Sequence, residues 1–342
     1  MANIILPKAW QKIAPVPTDE GIWRDRREVL KKLGLMAAGS LLLPPLLSSC
    51  GAEGGERLLA KAQTSQYTGP GPKEFDFPGM LDLYPAVRNE RYPLDRPISP
   101  EYDATHHNNF YEFINPRGES IYDVYKEVGD WDTRDWSFEA SGLLGKPGKY
   151  DLADILKKIP LEERSYRFRC VERWSMAVPW TGFPLASLLK LLEPDNKARY
   201  VRFVSASNPN QMIGVRKQDW YPWPYFEGLR MEEAMNELSF IATGIYGKPL
   251  PRQNGAPMRL VVPWKYGYKN IKAIVRIELT DEQPETFWHK LSPKEYPFES
   301  NVHPDVSHPR WSQKTERMIP DGDPRPTLPF NGYGDFVAGM YK

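Results

Sequence analysis

The sequence predicts an α+β fold, and three observations carry that expectation. Period-2 apolar alternations recur along the chain, short helix-like stretches lie among them in no regular βαβ order, and 34 prolines cut the elements short. From about Asp76 onward there is no composition break, internal repeat or interdomain linker, so a single mixed domain over residues 76–342 is expected.

Each element has a local reason. "WSFEASG" alternates Trp136, Phe138 and Ala140 against polar partners, as a half-buried strand does. "DLADILKKIP" reads as a short helix with Asp151 as N-cap and Pro160 as stop. In "YRFRC" a strand places Tyr166, Phe168 and Cys170 on one face, Arg167 and Arg169 on the other. "FPLASLLKLLEP" is a helix with Pro184 near its first turn and Pro194 beyond its end. "YVRFVS" and "MRLVVPW" read as strands. The clearest strand is "IKAIVRIELT", with Ile271, Ala273, Val275, Ile277 and Leu279 expected to face inward.

Composition removes several function classes. Lys and Arg number 45 against 44 Asp and Glu, a net charge of +1. That balance argues against a nucleic-acid coat and against a polybasic membrane surface. The hydrophobic fraction of 41% supports a sizeable core, and the 13% of aromatic residues can wall a deep pocket. The chain has two cysteines, Cys50 and Cys170, with no CxxC pair and no haem-attachment CxxCH. A zinc site of several thiolates and an iron–sulfur cysteine set are thereby excluded.

The N-terminus reads as an export signal. Arg26-Arg27 precede a modest apolar stretch from Leu33 to Leu47, too short for a spanning helix of about 20 residues. The layout over residues 1–50 is a twin-arginine signal peptide, implying the Tat export machinery and an extracytoplasmic destination. That route carries folded proteins, so the signal itself hints at a cofactor inserted before export. Cys50, in "LLSSCG", stands in a lipoprotein-like cleavage box, which would leave a lipid tether on the mature chain; the alternative is ordinary cleavage further on, after Ala60-Lys61-Ala62. Residues 51–75 are Gly-, Gln- and Pro-rich and read as a linker.

Cys170 sits in "RFRCVERWSMAVPW" among arginines and tryptophans. Three readings are open: a buried core cysteine, a catalytic thiol, or a thiolate ligand to a metal held mainly by an organic cofactor. Arg169 and Arg173 would favour the thiolate, although strand alternation points Arg169 away. The segment 251–274 places Asn254-Gly255 in a turn, then Arg259, Lys265, Lys269 and Lys272, a set suited to a terminal phosphate. For Lys265 and Lys269 alone, a solvated basic face is the expected reading. "HHNNFYEF" offers amide, phenol and carboxylate groups that suit the edges of a heterocycle. His106-His107 and His303 with His308 read as loop histidines rather than a second metal site.

"YRFRCVERWSMAVPWTGFPLASLL", "NNFYEF", "PYFEGLRMEEAM", "GIYGKPLPRQNGAPMRLVVPWKYGYKNIK" and "HPRWSQKTER" together resemble the MsrP (YedY) family. Its members are catalytic subunits of periplasmic protein-methionine-sulfoxide reductases with a sulfite-oxidase-type fold. The resemblance runs from about Asn108 to near the C-terminus. It implies molybdenum bound by one molybdopterin without an added nucleotide, with Cys170 as the protein thiolate on the metal. Asn108, Tyr111 and Glu112 match positions that contact the pterin; Asn254 and Arg259 match further cofactor contacts; Asn270, Ile271 and Lys272 match the loop at its far end. Ser205 stands where a threonine is expected, and Asn270 where a glycine is expected, so a positive φ there would cost more. Residues 205–223 depart most from the family pattern.

The chemistry so implied is oxygen-atom transfer from a protein-bound methionine sulfoxide. Oxidised exported proteins would be the substrates and a haem-containing membrane subunit the electron donor. An open site is expected, with Cys170 at the floor of a shallow cleft walled by aromatics. Arg169 and Glu172 are proton-donor candidates, with salt-bridge partner as the ordinary reading of both. Two rivals are a sulfite-oxidase-like molybdoenzyme and a non-enzymatic exported binding module in which Cys170 is core.

Overall fold

The computed structural model describes residues 81–116, 121, 124–129 and 131–342. These fall within one compact unit, Pro72–Lys342. Arg26-Arg27, Cys50 and residues 51–75 lie outside the described residues.

Among the described residues twelve strands run in chain order: β1 (Ser137–Gly142), β2 (Gly148–Asp151), β3 (Glu162–Arg169), β4 (Trp174–Pro184), β5 (Tyr200–Ser205), β6 (Phe226–Arg230), β7 (Phe240–Ile245), β8 (Lys248–Pro249), β9 (Arg259–Val261), β10 (Ile274–Thr280), β11 (Thr315–Met318) and β12 (Pro324–Pro326). They form two mixed sheets. One is ordered β2-β1-β10-β5-β6, with β1 and β10 parallel. The other is ordered β12-β11-β4-β7-β8, with β3 paired to β4 and β9 to β7, and with β11 and β4 parallel. Short helices lie between strands, so the expected α+β class with a mixed sheet arrangement is what the chain adopts.

The apolar alternations do what their period requires. Phe138 and Ala140 of β1 are buried, while Glu139 between them is exposed. The helix Leu152–Lys158 starts after Asp151, as expected, but Asp151 makes no side-chain cap bond. The helix Leu185–Leu192 buries Leu185, Leu188, Leu189 and Leu192. That spacing covers one face, and it packs onto the core.

The last core strand differs from its sequence pattern. β10 begins at Ile274, and its pairing with β5 shifts register between Ile274 and Arg276. The bulge rotates the strand, so Ile274, Ile277 and Leu279 are buried while Val275 is only half-buried. Ile271 and Ala273 are buried in the loop before it. A strict alternation from Ile271 fails because one extra residue breaks the period.

The β3–β4 hairpin brings Cys170 to its tip. The Cys170 N–H donates to the Trp174 carbonyl at 2.9 Å, and the Arg173 N–H donates to the Cys170 carbonyl at 3.0 Å. Arg173 takes the left-handed conformation, φ 77°, where glycine is the easy choice. It is held there by its own side chain, which donates to Thr315 Oγ1 at 2.6 Å. Strain of this kind persists only where the surroundings over-determine it.

The candidate cofactor site around Cys170

Cys170 is a free, buried cysteine. It packs with Val171, Tyr266 and Val302, and the partly buried Trp174, Tyr268, Tyr296 and Trp311 close around that group. The aromatic wall expected around the thiol is therefore present. Two side chains far along the chain pin the turn beside it: Trp311 Nε1 and Gln313 Nε2 both donate to the Val171 carbonyl, at 2.9 and 2.8 Å.

The arginines do not make the thiolate. Arg169 is fully buried, ion-paired to Glu316 at 3.3 Å and bonded to Gln313 Oε1 at 2.7 Å. Its guanidinium donates to the Cys170 carbonyl rather than the sulfur. The second face of β3 is thus another buried layer, and Arg169 keeps the ordinary ion-pair role. Burial pushes the Cys170 pKa well above the ordinary thiol range, with Glu172 adding to the rise and Arg169 and the Asn109 amide opposing it weakly. A self-activated catalytic thiol is disfavoured by this environment. A metal cation reverses the balance, because a coordinating thiol loses its proton outright.

Glu172 departs from its ordinary reading. Its carboxylate Oε2 accepts from Asn109 Nδ2 and Trp174 Nε1, both at 3.0 Å, and lies 3.8 Å from Cys170 Sγ. Asn109 Nδ2 also lies 3.6 Å from that sulfur. Asn109 and Trp174 were not singled out by sequence; the only signal was their adjacency to Asn108 and to the cysteine motif.

Three separated segments converge next to this group. From the first, Asn108 is buried, donating its side-chain amide to the Thr105 carbonyl at 2.7 Å. Tyr111 is partly buried against Trp288, and burial raises its pKa well above the usual range. Glu112 is buried and accepts from Ser205 Oγ at 3.0 Å, which brings these two expected residues into contact. Burial raises the Glu112 pKa, against the pull of Lys272. A glycine signal in the divergent segment explains how this turn is placed. A Cβ on Gly214 would stand 2.0 Å from the Tyr111 carbonyl, so the helix Ile213–Lys217 sits flush against Tyr111-Glu112 only with glycine there.

From the second segment, Asn254 is buried and its Nδ2 donates to the Ala104 carbonyl at 3.0 Å. Gly255 has φ 98°, and a Cβ there would meet Lys272 Cβ at 2.6 Å, so this turn seats Lys272 directly. Arg259 is buried and donates to the carbonyls of Asn254 and Asn270, at 2.9 and 3.1 Å. From the third, Lys272 Nζ donates to the Asn109 carbonyl at 2.8 Å. Ile271 is buried, its carbonyl taken by the Leu260 N–H at 2.9 Å. Asn270 has φ −91°, so the feared positive φ does not arise. Its N–H is used on the Gly267 carbonyl at 3.0 Å, and its Oδ1 takes the Val262 N–H at 2.7 Å.

Lys265 and Lys269 lie on no solvated face. Both are buried, paired at 2.6 Å with the buried carboxylates of Glu233 and Glu227 respectively. Sequence could not show this, because the partners sit on distant elements. Among the described residues no group of three or more His, Cys, Asp or Glu side chains could hold a metal ion.

A lone buried thiol beside a basic loop is the arrangement expected of a class of proteins that hold an organic metal cofactor. The family model described as "Oxidoreductase molybdopterin binding domain" matches residues 125–288. The protein-methionine-sulfoxide reductase catalytic subunit MsrP of Pseudomonas syringae pv. tomato is 50% identical over 252 residues, 72% of this chain and 74% of the relative. The MsrP catalytic subunits of Xanthomonas campestris pv. campestris and Burkholderia mallei are each 45% identical over 95% of this chain, and over 93% and 91% of theirs. The chain belongs to the MsrP family of protein-methionine-sulfoxide reductase catalytic subunits. Its cofactor is therefore a molybdopterin.

The residues present fit that group. Arg259 is buried and Lys272 half-buried, and desolvation pulls their pKa values down, to about 9 and about 7. Glu112 is the buried carboxylate that offsets Lys272, whereas Arg259 is met by carbonyls. An interior with this excess of positive charge is costly until an anion arrives. Asn109 Oδ1 and Asn254 Oδ1 are buried without a hydrogen-bond partner, which suits a ligand rich in donors.

Proposed function

We propose that this chain repairs oxidised exported proteins by reducing methionine sulfoxide to methionine. The observation that carries the reading is the pairing of one buried thiol, in an aromatic enclosure, with the buried Arg259 and half-buried Lys272 on the adjacent loops. Membership of the MsrP family supports the same substrate class. Bound molybdenum supplies the oxygen-atom-transfer chemistry, two electrons and two protons converting sulfoxide to thioether and water. Cys170 is the protein ligand that would hold the metal. Arg259 and Lys272 would hold an anionic end, without an added nucleotide, while Asn108, Tyr111, Glu112, Ser205, Asn254, Asn270 and Ile271 shape the pterin's surroundings. Trp174, Tyr296 and Trp311 keep water from the thiol.

The chain has no haem motif of its own, so electrons come from another protein, and the family resemblance supports a haem-containing membrane subunit in that role. Arg26-Arg27 support export by the Tat route as a folded holoprotein, with residues 76–342 as the catalytic domain and Cys50 as a lipid tether. Steady-state assays of the purified holoenzyme with sulfite and with methionine-sulfoxide peptides test the reading. Sulfoxide reduction with negligible sulfite oxidation is expected; sulfite turnover alone would assign it to the sulfite-oxidase class. Elemental analysis without molybdenum would leave only an exported binding module.

A further inference from the structure

We propose that Asn109 and Trp174 form the binding site for the sulfoxide oxygen, and that the Glu172 carboxylate occupies this site until substrate displaces it. The inference rests on the reductase reading and adds the groups that recognise the substrate.

Two neutral N–H donors, Asn109 Nδ2 and Trp174 Nε1, converge on one oxygen atom, each at 3.0 Å. That oxygen lies 3.8 Å from Cys170 Sγ. A sulfoxide oxygen carries much of the S–O bond's charge and is a strong acceptor; a thioether sulfur is a weak one. Two aimed donors therefore separate the oxidised side chain from the reduced one, as a site built to hydrogen-bond its substrate does.

Both donors are held in place. Trp174 is stacked on Phe168 at 5.6 Å and met edge-on by His107 at 4.3 Å, which sets the direction of its N–H. The Asn109 carbonyl is gripped by Lys272 at 2.8 Å. The remaining polar atom of the amide, Oδ1, is buried without a partner. Such an atom carries an unmet desolvation cost, which a side chain serving only to fix Glu172 would have no reason to bear. Glu172 is itself an exposed residue at the tip of the hairpin, so its side chain can swing outward without disturbing the core.

The oxidised holoenzyme, given no reductant, is titrated calorimetrically with a peptide carrying methionine sulfoxide and with the same peptide carrying methionine. Trp174→Phe keeps the ring and removes the N–H; Asn109→Leu removes the amide. Each is expected to lower the sulfoxide-to-thioether affinity ratio about 10-fold, the worth of one hydrogen bond to a strong acceptor. Glu172→Ala frees both donors and is expected to raise sulfoxide affinity about 3–10-fold, the worth of the released contact. Molybdenum content and melting temperature, measured alongside, separate these effects from loss of cofactor or fold. An unchanged ratio in Trp174→Phe, or weaker sulfoxide binding in Glu172→Ala, overturns the proposal. If the wild-type enzyme reduces the sulfoxide peptide while these ratios stay still, only this inference falls. If it neither binds nor reduces that peptide, the reductase reading falls first.

Discussion

Lys272 Nζ donates to the Asn109 carbonyl at 2.8 Å, across 163 positions of sequence. One bond thus ties the basic loop before β10 to the turn that touches Cys170. On the proposed site, cofactor anchorage and substrate approach would share a single piece of backbone, and changes on either side should be felt on the other.

Cys170→Ser should abolish turnover and leave the fold standing. A serine fits the same tip of the β3–β4 hairpin, and the turn's backbone bonds do not involve the sulfur. Circular dichroism and melting temperature are expected to match wild type within a few degrees, with activity at the assay floor. Retained turnover would refute the ligand assignment.

Arg259→Met should cost cofactor rather than stability. Arg259 is buried against carbonyls and aromatic rings, including Trp180 at 4.9 Å, so the apoprotein bears an uncompensated cation. Removing it relieves that cost while deleting a charge an anionic cofactor needs. Extracted pterin, read by fluorescence, should fall about 10-fold or more, as expected when a charge-assisted contact of some 1.5–3 kcal/mol is removed. Undiminished pterin would place the cofactor's anionic end elsewhere.

Lys272 sets a pH dependence that differs between apo and holo protein. Burial chiefly, with Arg259 nearby, lowers its pKa from 10.5 to about 7. Between those values the unfolded chain binds a proton that the folded apoprotein does not, so stability rises with pH over that window. The gain is at most about 1.4 kcal/mol per pH unit for one proton. Urea unfolding of the apoprotein from pH 6 to 9 should show the rise, and Lys272→Met should flatten it. In the holoprotein an anion beside Lys272 restores the ordinary pKa and the slope disappears. Identical slopes in both forms would show that no anion reaches this lysine.

Breaking the Lys265–Glu233 pair should be far worse than replacing it. Lys265 Nζ meets Glu233 Oε1 at 2.6 Å, and Tyr341 Oη donates to the same oxygen at 2.6 Å. Burial would raise the Glu233 pKa, but Lys265, Tyr341 and the Arg230 N–H outweigh it and hold it below the usual value. Lys265→Met leaves the buried carboxylate with only the looser Arg230 guanidinium at 3.7 Å as counter-charge and should cost about 3 kcal/mol. Lys265→Met with Glu233→Gln should recover most of that in urea unfolding. Additive losses in the double variant would show that the two charges are not coupled.

Much of the fold was legible along the chain. β1, β5 and the helices Leu152–Lys158 and Leu185–Leu192 lie where period and proline punctuation put them. The sequence misread β10, because a bulge leaves no mark on composition. It also placed Lys265 and Lys269 on the surface, because a lysine's burial depends on a carboxylate that the local sequence does not display. The glycine at 214 could have signalled a close approach, yet what it approaches lies about a hundred residues earlier.

By itself the sequence determined that Cys170 has no second cysteine within the catalytic body, that basic residues cluster between Arg259 and Lys272, and that strands and helices mix without βαβ order. These are local properties, set by residue type and spacing. The tertiary structure alone decided that Glu172 faces Asn109 and Trp174 rather than a basic partner, that Arg169 turns to Glu316, and that Ser205 meets Glu112. Those outcomes follow from which distant elements share a buried space. There, each polar group must find whatever partner the folding of the two sheets has brought within reach.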